Sequence, residues 1–426
     1  MAGFNDVPMV QSLAVPAVCL LIAFLGYGSQ LVFRYSKTLQ PGPLSDSETL
    51  LFNTLLVLLW ITYYRAVSTD PGRYIFTDRV IDADGRWCNK CNAPKPPRAH
   101  HCRVCRRCVP KMDHHCPWTK NCVSMTTFPH FLRFLVYANI SLWTLGYLLW
   151  QRLYSIWEAR NLPAYLGPSL PALIAWAMLS GTCFLTSLAL GIILSTTVRS
   201  WLFNCTMIEG WEIDRHEAIA ERGGRDWWDV TDADGKSIRF EKVEFPYDIG
   251  FFANMAQAMG TSNILLWLFP FAGNPALGKD GKGSGWVWEE NGFNRAEGMW
   301  PPPDPDKLRH AGRPWPAAAR DYDAELRDLD LSPEDAKRAF QQRQEQDLRR
   351  KRVLMAELEE VDEVDDYGEA SAAGGARSLW VNSDGERLRD YGVDDDDDDE
   401  IAADDEDVPL GELLRRRKVL GKDGQE

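Results

Sequence analysis

Four runs of apolar residues constrain this 426-residue chain more than any other feature. They cover residues 13–33, 49–67, 131–150 and 170–198. A helix needs about 20 residues to cross roughly 30 Å of hydrocarbon, and each run meets that length. Trp and Tyr stand near several of their ends, where amphipathic rings favour the headgroup region. The second run contains LLVLLWITYY and ends near Arg65, and the third carries Arg133 in its first turn. Both arginines are expected to snorkel, with stems in the membrane and heads in water. The net charge of −14 alone would suggest an acidic soluble protein. That average mixes residues 1–200, which hold the runs, with residues 272–426, which are polar and acidic. Residues 1–9 lack Lys and Arg and include Asp6, so the first run is read as a retained span rather than a cleaved signal.

Basic residues orient the spans. The loop 68–130 carries 11 Lys and Arg, whereas 34–48 and 151–169 carry two each. The positive-inside rule therefore places loop 68–130, and with four spans both termini, in the cytosol. Thiols stay reduced there. The same acidic balance disfavours a nucleic-acid binder, which needs clustered positive charge.

Seven of the ten cysteines and four histidines (His100, His101, His114 and His115) fall between positions 88 and 122. In a reducing compartment, CxxC spacings suit metal better than disulfides. Tetrahedral structural zinc takes four ligands, so two sites use eight of these eleven side chains and leave three. A stretch so poor in large aliphatics builds no core, and metal would supply about 10–16 kcal/mol of apparent folding energy per site. The surplus points to chemistry. Asp113-His114-His115-Cys116 offers an orienter, a base and a nucleophile within four residues. Spacing alone does not say which histidine is ligand and which is base.

The spaced set CxxC, PPRAHHCxxCxxC, DHHCPW and NCV resembles the DHHC family of protein S-acyltransferases. Asp70-Pro71-Gly72 resembles the family's DPG motif, and Thr206-Met207-Ile208-Glu209 a degenerate TTxE. Residues 250–260 are similar to its C-terminal conserved patch, with Asn254 as the patch's asparagine. The resemblance covers residues 13–270 and, through NCVSMTTFPHF and IEGWE, looks like a fungal, endoplasmic-reticulum-type branch. It departs from the family at Ser124, Thr127 and Met207, where Gly, Asn and a second Thr are usual. The family pattern implies two interleaved structural zinc sites, one of Cys88, Cys91, His101 and Cys108, the other of Cys102, Cys105, His115 and Cys122. It further implies Cys116 as the acylated nucleophile, His114 as its base and Asp113 as the orienting carboxylate. Trp118, Phe131, Phe134 and Ser141 are implied as walls of an acyl-chain cavity.

Palmitoyl-CoA is the implied donor, membrane-associated proteins with cytosolic cysteines the implied acceptors, and the endoplasmic reticulum membrane the implied location. No nucleic acid is expected, and an accessory subunit is left open. Two other classes compete with this one: a zinc-stabilised membrane scaffold without catalysis, and a membrane-tethered nucleic-acid module. The second would need base-stacking aromatics, and only Trp87 and Trp118 lie in or beside the loop.

The expected architecture is an α-helical integral membrane protein. Its divisions are a cytosolic N-terminus (1–12), spans one and two (13–67), the Cys-rich zinc module (68–130), spans three and four (131–198), a cytosolic motif segment (199–271) and a polar, partly disordered tail (272–426). Within the tail, the Pro- and Gly-rich stretch from 272 through PPPDPD at 301–306 reads as loop or linker, and 332–361 as a charge-rich helix. The acidic run 394–400 reads as disordered, and 415–418 is a basic island. Cys205, cytosolic and close to the membrane, is a candidate acylation site.

Overall fold

The computed structural model describes residues 8–36, 39–76, 87–88, 90–161, 163, 167–223, 227–231, 237–279, 282–302 and 391–393. The helix expected at 332–361, the acidic run and the basic island lie outside the described residues. Among the described residues, four helices are long and apolar enough to cross a membrane: Ser12–Tyr35, Asp46–Ser68, Phe128–Asn161 and Leu170–Phe203.

The first span is α1 (Pro8–Ala23), a π turn at Phe24–Gly28 and α2 (Ser29–Tyr35). Helix α3 (Asp46–Ser68) opens on a capping box, in which the Ser45 hydroxyl accepts from the Glu48 N–H and the Glu48 carboxylate from Ser45 N. Helix α4 (Phe128–Glu158) overruns the apolar run. Arg152, counted above in the following loop, is instead a buried helical residue. Its guanidinium stacks 3.6 Å over the Phe33 ring and donates to the Gly42 carbonyl at 2.7 Å. Helix α5 (Leu170–Phe203) ends where Asn204 turns left-handed at φ 52°.

Helix α4 is the central element, packed against α3 and α5. Its buried apolar residues, among them Phe131, Phe134, Leu135, Ala138, Leu142, Leu145 and Leu149, recur every three or four positions and form one stripe. Ile174, Phe184, Leu185, Leu188 and Ile192 on α5 are exposed, as lipid-facing side chains are.

Arg133 does not snorkel. It is buried, and donates to the carbonyls of Trp267 (2.9 Å), Ala272 (3.1 Å) and Gly273 (3.1 Å). Arg65 likewise donates to the Pro270 carbonyl at 2.6 Å. A guanidinium carries five donors and needs oxygen acceptors wherever it lies. Here the irregular segment after α7 (Phe251–Met259) supplies them in place of headgroups and water.

Between α3 and α4 the chain folds into three small antiparallel hairpins: β1 (Trp87–Cys88) with β2 (Ala93–Pro94), β3 (His100–Cys102) with β4 (Arg107–Val109), and β5 (His114–Cys116) with β6 (Asn121–Val123). Helix α6 (Met207–Gly223) follows α5. Strands β7 (Trp227–Thr231) and β8 (Ser237–Glu241) pair with each other, and most of that hairpin belongs to a second compact unit. Residues 272–302, read as linker, contain no long helix but are packed. Trp286 joins Tyr74, Cys88, Ala99 and Cys108 in one apolar cluster, and Trp300 joins Val243 and Tyr247 in another.

Candidate functional site

The hairpin registers explain how one short loop builds two Cys/His clusters and still sets Cys116 apart from both. His101 stands opposite Cys108, and His115 opposite Cys122, so each hairpin contributes a cross-strand His–Cys pair. The CxxC turns add Cys88 with Cys91 to the first pair and Cys102 with Cys105 to the second. Within each group of four, all ligand atoms lie within 4.8 Å of one another. Strand alternation sends His101 to one cluster and its neighbour Cys102 to the other, which interleaves them.

The distances fit a tetrahedral metal. Bond lengths of about 2.3 Å to sulfur and about 2.0–2.1 Å to nitrogen put tetrahedral S···N edges near 3.6 Å and S···S edges near 3.8 Å. His115 Nδ1 lies 3.5–3.6 Å from the Cys102, Cys105 and Cys122 sulfurs, and Cys105 Sγ is 3.5 Å from Cys122 Sγ. His101 Nδ1 lies 3.4 and 3.2 Å from the Cys88 and Cys91 sulfurs. A disulfide would need about 2.05 Å, and all ten cysteines are free thiols.

Alternation along β5 also separates the two histidines that spacing could not. With His115 turned into its cluster, His114 and Cys116 project to the opposite face. There Asp113 Oδ2 accepts from His114 Nδ1 at 3.0 Å, while its Oδ1 accepts from the Met207 N–H at 2.6 Å. With Nδ1 committed to the carboxylate, Nε2 is the His114 nitrogen left to exchange a proton. Burial works against a charged His114, but hydrogen bonds and charges from Asp113 and Cys116 outweigh it and raise its pKa to about 10. Burial likewise opposes a Cys116 thiolate, yet hydrogen bonds from His114 and Thr119 hold the thiol below its ordinary value. Both shifts favour the imidazolium–thiolate form of the pair. Cys205 is the reverse case, its thiol pushed up chiefly by burial.

Cys116 meets the helical core directly. Cys116 belongs to one buried cluster with Tyr63, Phe131, Phe134, Leu135 and Ala138. The Phe131 ring stands edge-on to His114 at 5.9 Å, and Tyr63 lies 5.1 Å from Phe134. Ser141 is buried two turns deeper, its hydroxyl donating to the Tyr137 carbonyl. Trp118 is half-exposed, and its carbonyl accepts from the Tyr63 hydroxyl at 2.9 Å. Sequence reasoning missed Tyr63 and Thr119, since an aromatic or a Thr in such settings is indistinguishable from ordinary packing.

The outlying motifs are braces. Asp70 accepts from the Gly72 N–H at 2.7 Å and pairs with Arg107 at 3.2 Å. Gly72 has φ +91°, and a Cβ there would meet Pro110 Cγ at 2.8 Å. Pro71 offers its carbonyl to the Ser124 hydroxyl at 2.8 Å, and Thr127 Oγ1 donates to the Cys122 carbonyl at 2.6 Å. Both departures from the family pattern therefore tie the loop's end in place. Thr206 and Glu209 form the capping box of α6. The hydroxyl contact missing at Met207 is replaced by that residue's backbone N–H, aimed at Asp113. Glu209 also binds the buried Arg98, whose guanidinium lies between Tyr247 and Trp288. Asn254 is fully buried and donates to the Leu202 carbonyl at 2.7 Å, pinning α7 to the end of α5.

A family model described as DHHC palmitoyltransferase matches residues 81–214. The chain is 64% identical, over all of its length and 99% of the relative's, to palmitoyltransferase PFA4 of Gibberella zeae. It belongs to the DHHC palmitoyltransferase family. Another member, palmitoyltransferase pfa4 of Neurospora crassa, is 48% identical over 96% of each chain. In Saccharomyces cerevisiae, palmitoyltransferase PFA4 is 32% identical over 67% of this chain and 77% of its own.

Proposed function

We propose that this chain is a protein S-acyltransferase that takes palmitate from palmitoyl-CoA onto Cys116 and passes it to cysteines of membrane-associated proteins. The observation that carries the reading is the alternation along β5, which sets Cys116 beside an Asp113-bound His114 and leaves His115 to the metal cluster. The reaction is two thioester exchanges. The Cys116 thiolate attacks the acyl carbonyl carbon, a new S–C bond forms, the S–C bond to CoA breaks, and the departing CoA thiolate takes the proton held on His114. The acceptor cysteine then gives its proton to His114, and its sulfur displaces Cys116 from the acyl carbon. A free thiol with pKa near 8.5 is only a few per cent ionised at about pH 7, so pairing with an imidazolium raises the reactive fraction.

Zinc in the two clusters supplies fold rather than chemistry. It would be held by Cys88, Cys91, His101 and Cys108, and by Cys102, Cys105, His115 and Cys122. The acyl chain enters the apolar space bounded by Phe131, Phe134 and Ser141, while CoA stays in water near the loop's basic side chains. Each buried CH₂ is worth about 0.8 kcal/mol, which favours keeping the chain in the membrane during transfer. Loop charge supports a cytosolic zinc module and cytosolic termini. Resemblance to the fungal branch supports the endoplasmic reticulum membrane.

The test is CoA release by the purified protein from palmitoyl-CoA in the presence of a cysteine peptide. Activity in the wild type and none in Cys116→Ala, with both proteins holding two zinc ions, is the expected result. Equal release by the two proteins would overturn the assignment.

A further inference from the structure

The second metal cluster is completed by a part of the chain far from it in sequence. Residues Tyr391–Val393 lie along the outer edge of β3. Val393 forms an antiparallel bridge with Cys102, and the Arg103 N–H donates to the Gly392 carbonyl at 3.2 Å. The tripeptide thus makes one bridge to the edge of β3, using backbone groups an edge strand leaves open. Tyr391 and Val393 are 5% and 3% exposed and share one apolar cluster with Cys102, Met112, Cys122 and Ile208. Trp211 of α6 packs against the same cluster. Gly392 sits closest to the metal ligands. It has φ +81°, and a Cβ there would meet His115 Cβ at 2.8 Å, so only glycine fits.

We propose that Tyr391–Gly392–Val393 is an in-cis cap that closes the second metal cluster and, through His115, steadies the strand that carries His114 and Cys116. The cap covers two ligand residues, Cys102 and Cys122, and the backbone of a third. A metal can leave such a site only after its thiolates meet water or a competing chelator, and a seated cap slows that exposure. The assignment rests on the zinc reading above, and the experiment separates the two.

Zinc content of the purified full-length protein is measured first, then zinc transfer to a chromogenic chelator, for the wild type and Gly392→Val. Hydrogen exchange over residues 100–109 is followed in parallel. Overpacking a close contact shifts local opening by about tenfold or more, so one of the two zinc ions should leave the variant about tenfold faster. The Arg103 amide should lose protection, and a synthetic peptide of residues 386–396 added in excess should slow the release again. Equal release rates with unchanged Arg103 protection would overturn the cap while leaving the zinc reading intact. Loss of both ions together would also contradict it, since the cap touches one cluster. A wild type without zinc would refute the metal reading, and Arg103 protection that is the same in both proteins would then refute the cap as well.

Discussion

Replacing Glu209 with Gln tests how the distant braces reach Asp113. Glu209 is almost fully buried and faces an Arg98 side chain with no exposure at all. Arg98 donates to both Glu209 oxygens, one at 2.7 Å, and further to Asn204. Gln keeps the size of the side chain and removes the charge, leaving a buried guanidinium without a counter-ion. Breaking one partner of a buried pair costs about 3–5 kcal/mol. For a cooperative unit of roughly 150–250 residues that is a fall in Tm of about 6–20 °C, at about 2–4 °C per kcal/mol. The double variant Arg98→Met, Glu209→Gln removes the stranded charge and should recover most of the loss. A thiol-reactive fluorogenic melt of the detergent-solubilised protein reads both, with Cys205 and the metal-ligand thiols as reporters. The acyl-enzyme rate should fall with Tm in the single variant, because Glu209 caps the helix whose first N–H holds Asp113. A single variant that melts within about 2 °C of the wild type would refute the reasoning, since a surface pair is worth only about 0–1 kcal/mol.

Other substitutions isolate single contacts. Met207→Pro deletes the N–H that Asp113 receives, at the first helical position where proline is tolerated. A hydrogen bond to a charged group is worth about 1.5–3 kcal/mol, so single-turnover acylation should slow roughly tenfold to a hundredfold, while Met207→Leu leaves it unchanged. Gly72→Ala forces a Cβ against Pro110 at positive φ and should lower Tm measurably, and Ser124→Ala, which removes the bond to the Pro71 carbonyl and the contacts with the Thr126 and Thr127 hydroxyls, should cost about 1–3 kcal/mol. Removing zinc with a strong chelator should abolish acylation and expose residues 88–122 to protease, and restored zinc should recover both if refolding precedes thiol oxidation. Tyr63→Phe loses the bond to the Trp118 carbonyl and should reduce the acylation rate without changing zinc content.

Much of the membrane architecture could be read from composition, because a 20-residue apolar run has few alternatives to a spanning helix. The cysteine spacings announced two tetrahedral groups, since CxxC turns and cross-strand pairs are local geometry. The choice between His114 and His115 could not be read from spacing. It depends on β5 being a strand, where adjacent side chains face opposite ways. Arg133 departs from expectation for a different reason. Its acceptors are carbonyls more than a hundred residues later, and no local pattern advertises a carbonyl. The packing of residues 272–302 was hidden by the same limit, because Trp286 and Trp300 find their partners only in three dimensions. The tripeptide Tyr391–Val393 lies beside the acidic run and carries no periodicity that marks it as part of a core.

The central claim is that Cys116 carries the acyl group. Intact-mass measurement of the purified protein after incubation with palmitoyl-CoA, beside Cys116→Ser, tests it most directly. The account predicts a gain of one palmitoyl group that hydroxylamine removes and that the variant lacks, with both proteins retaining their zinc. An adduct of the same size on Cys116→Ser, or none on a zinc-replete wild type, would contradict it.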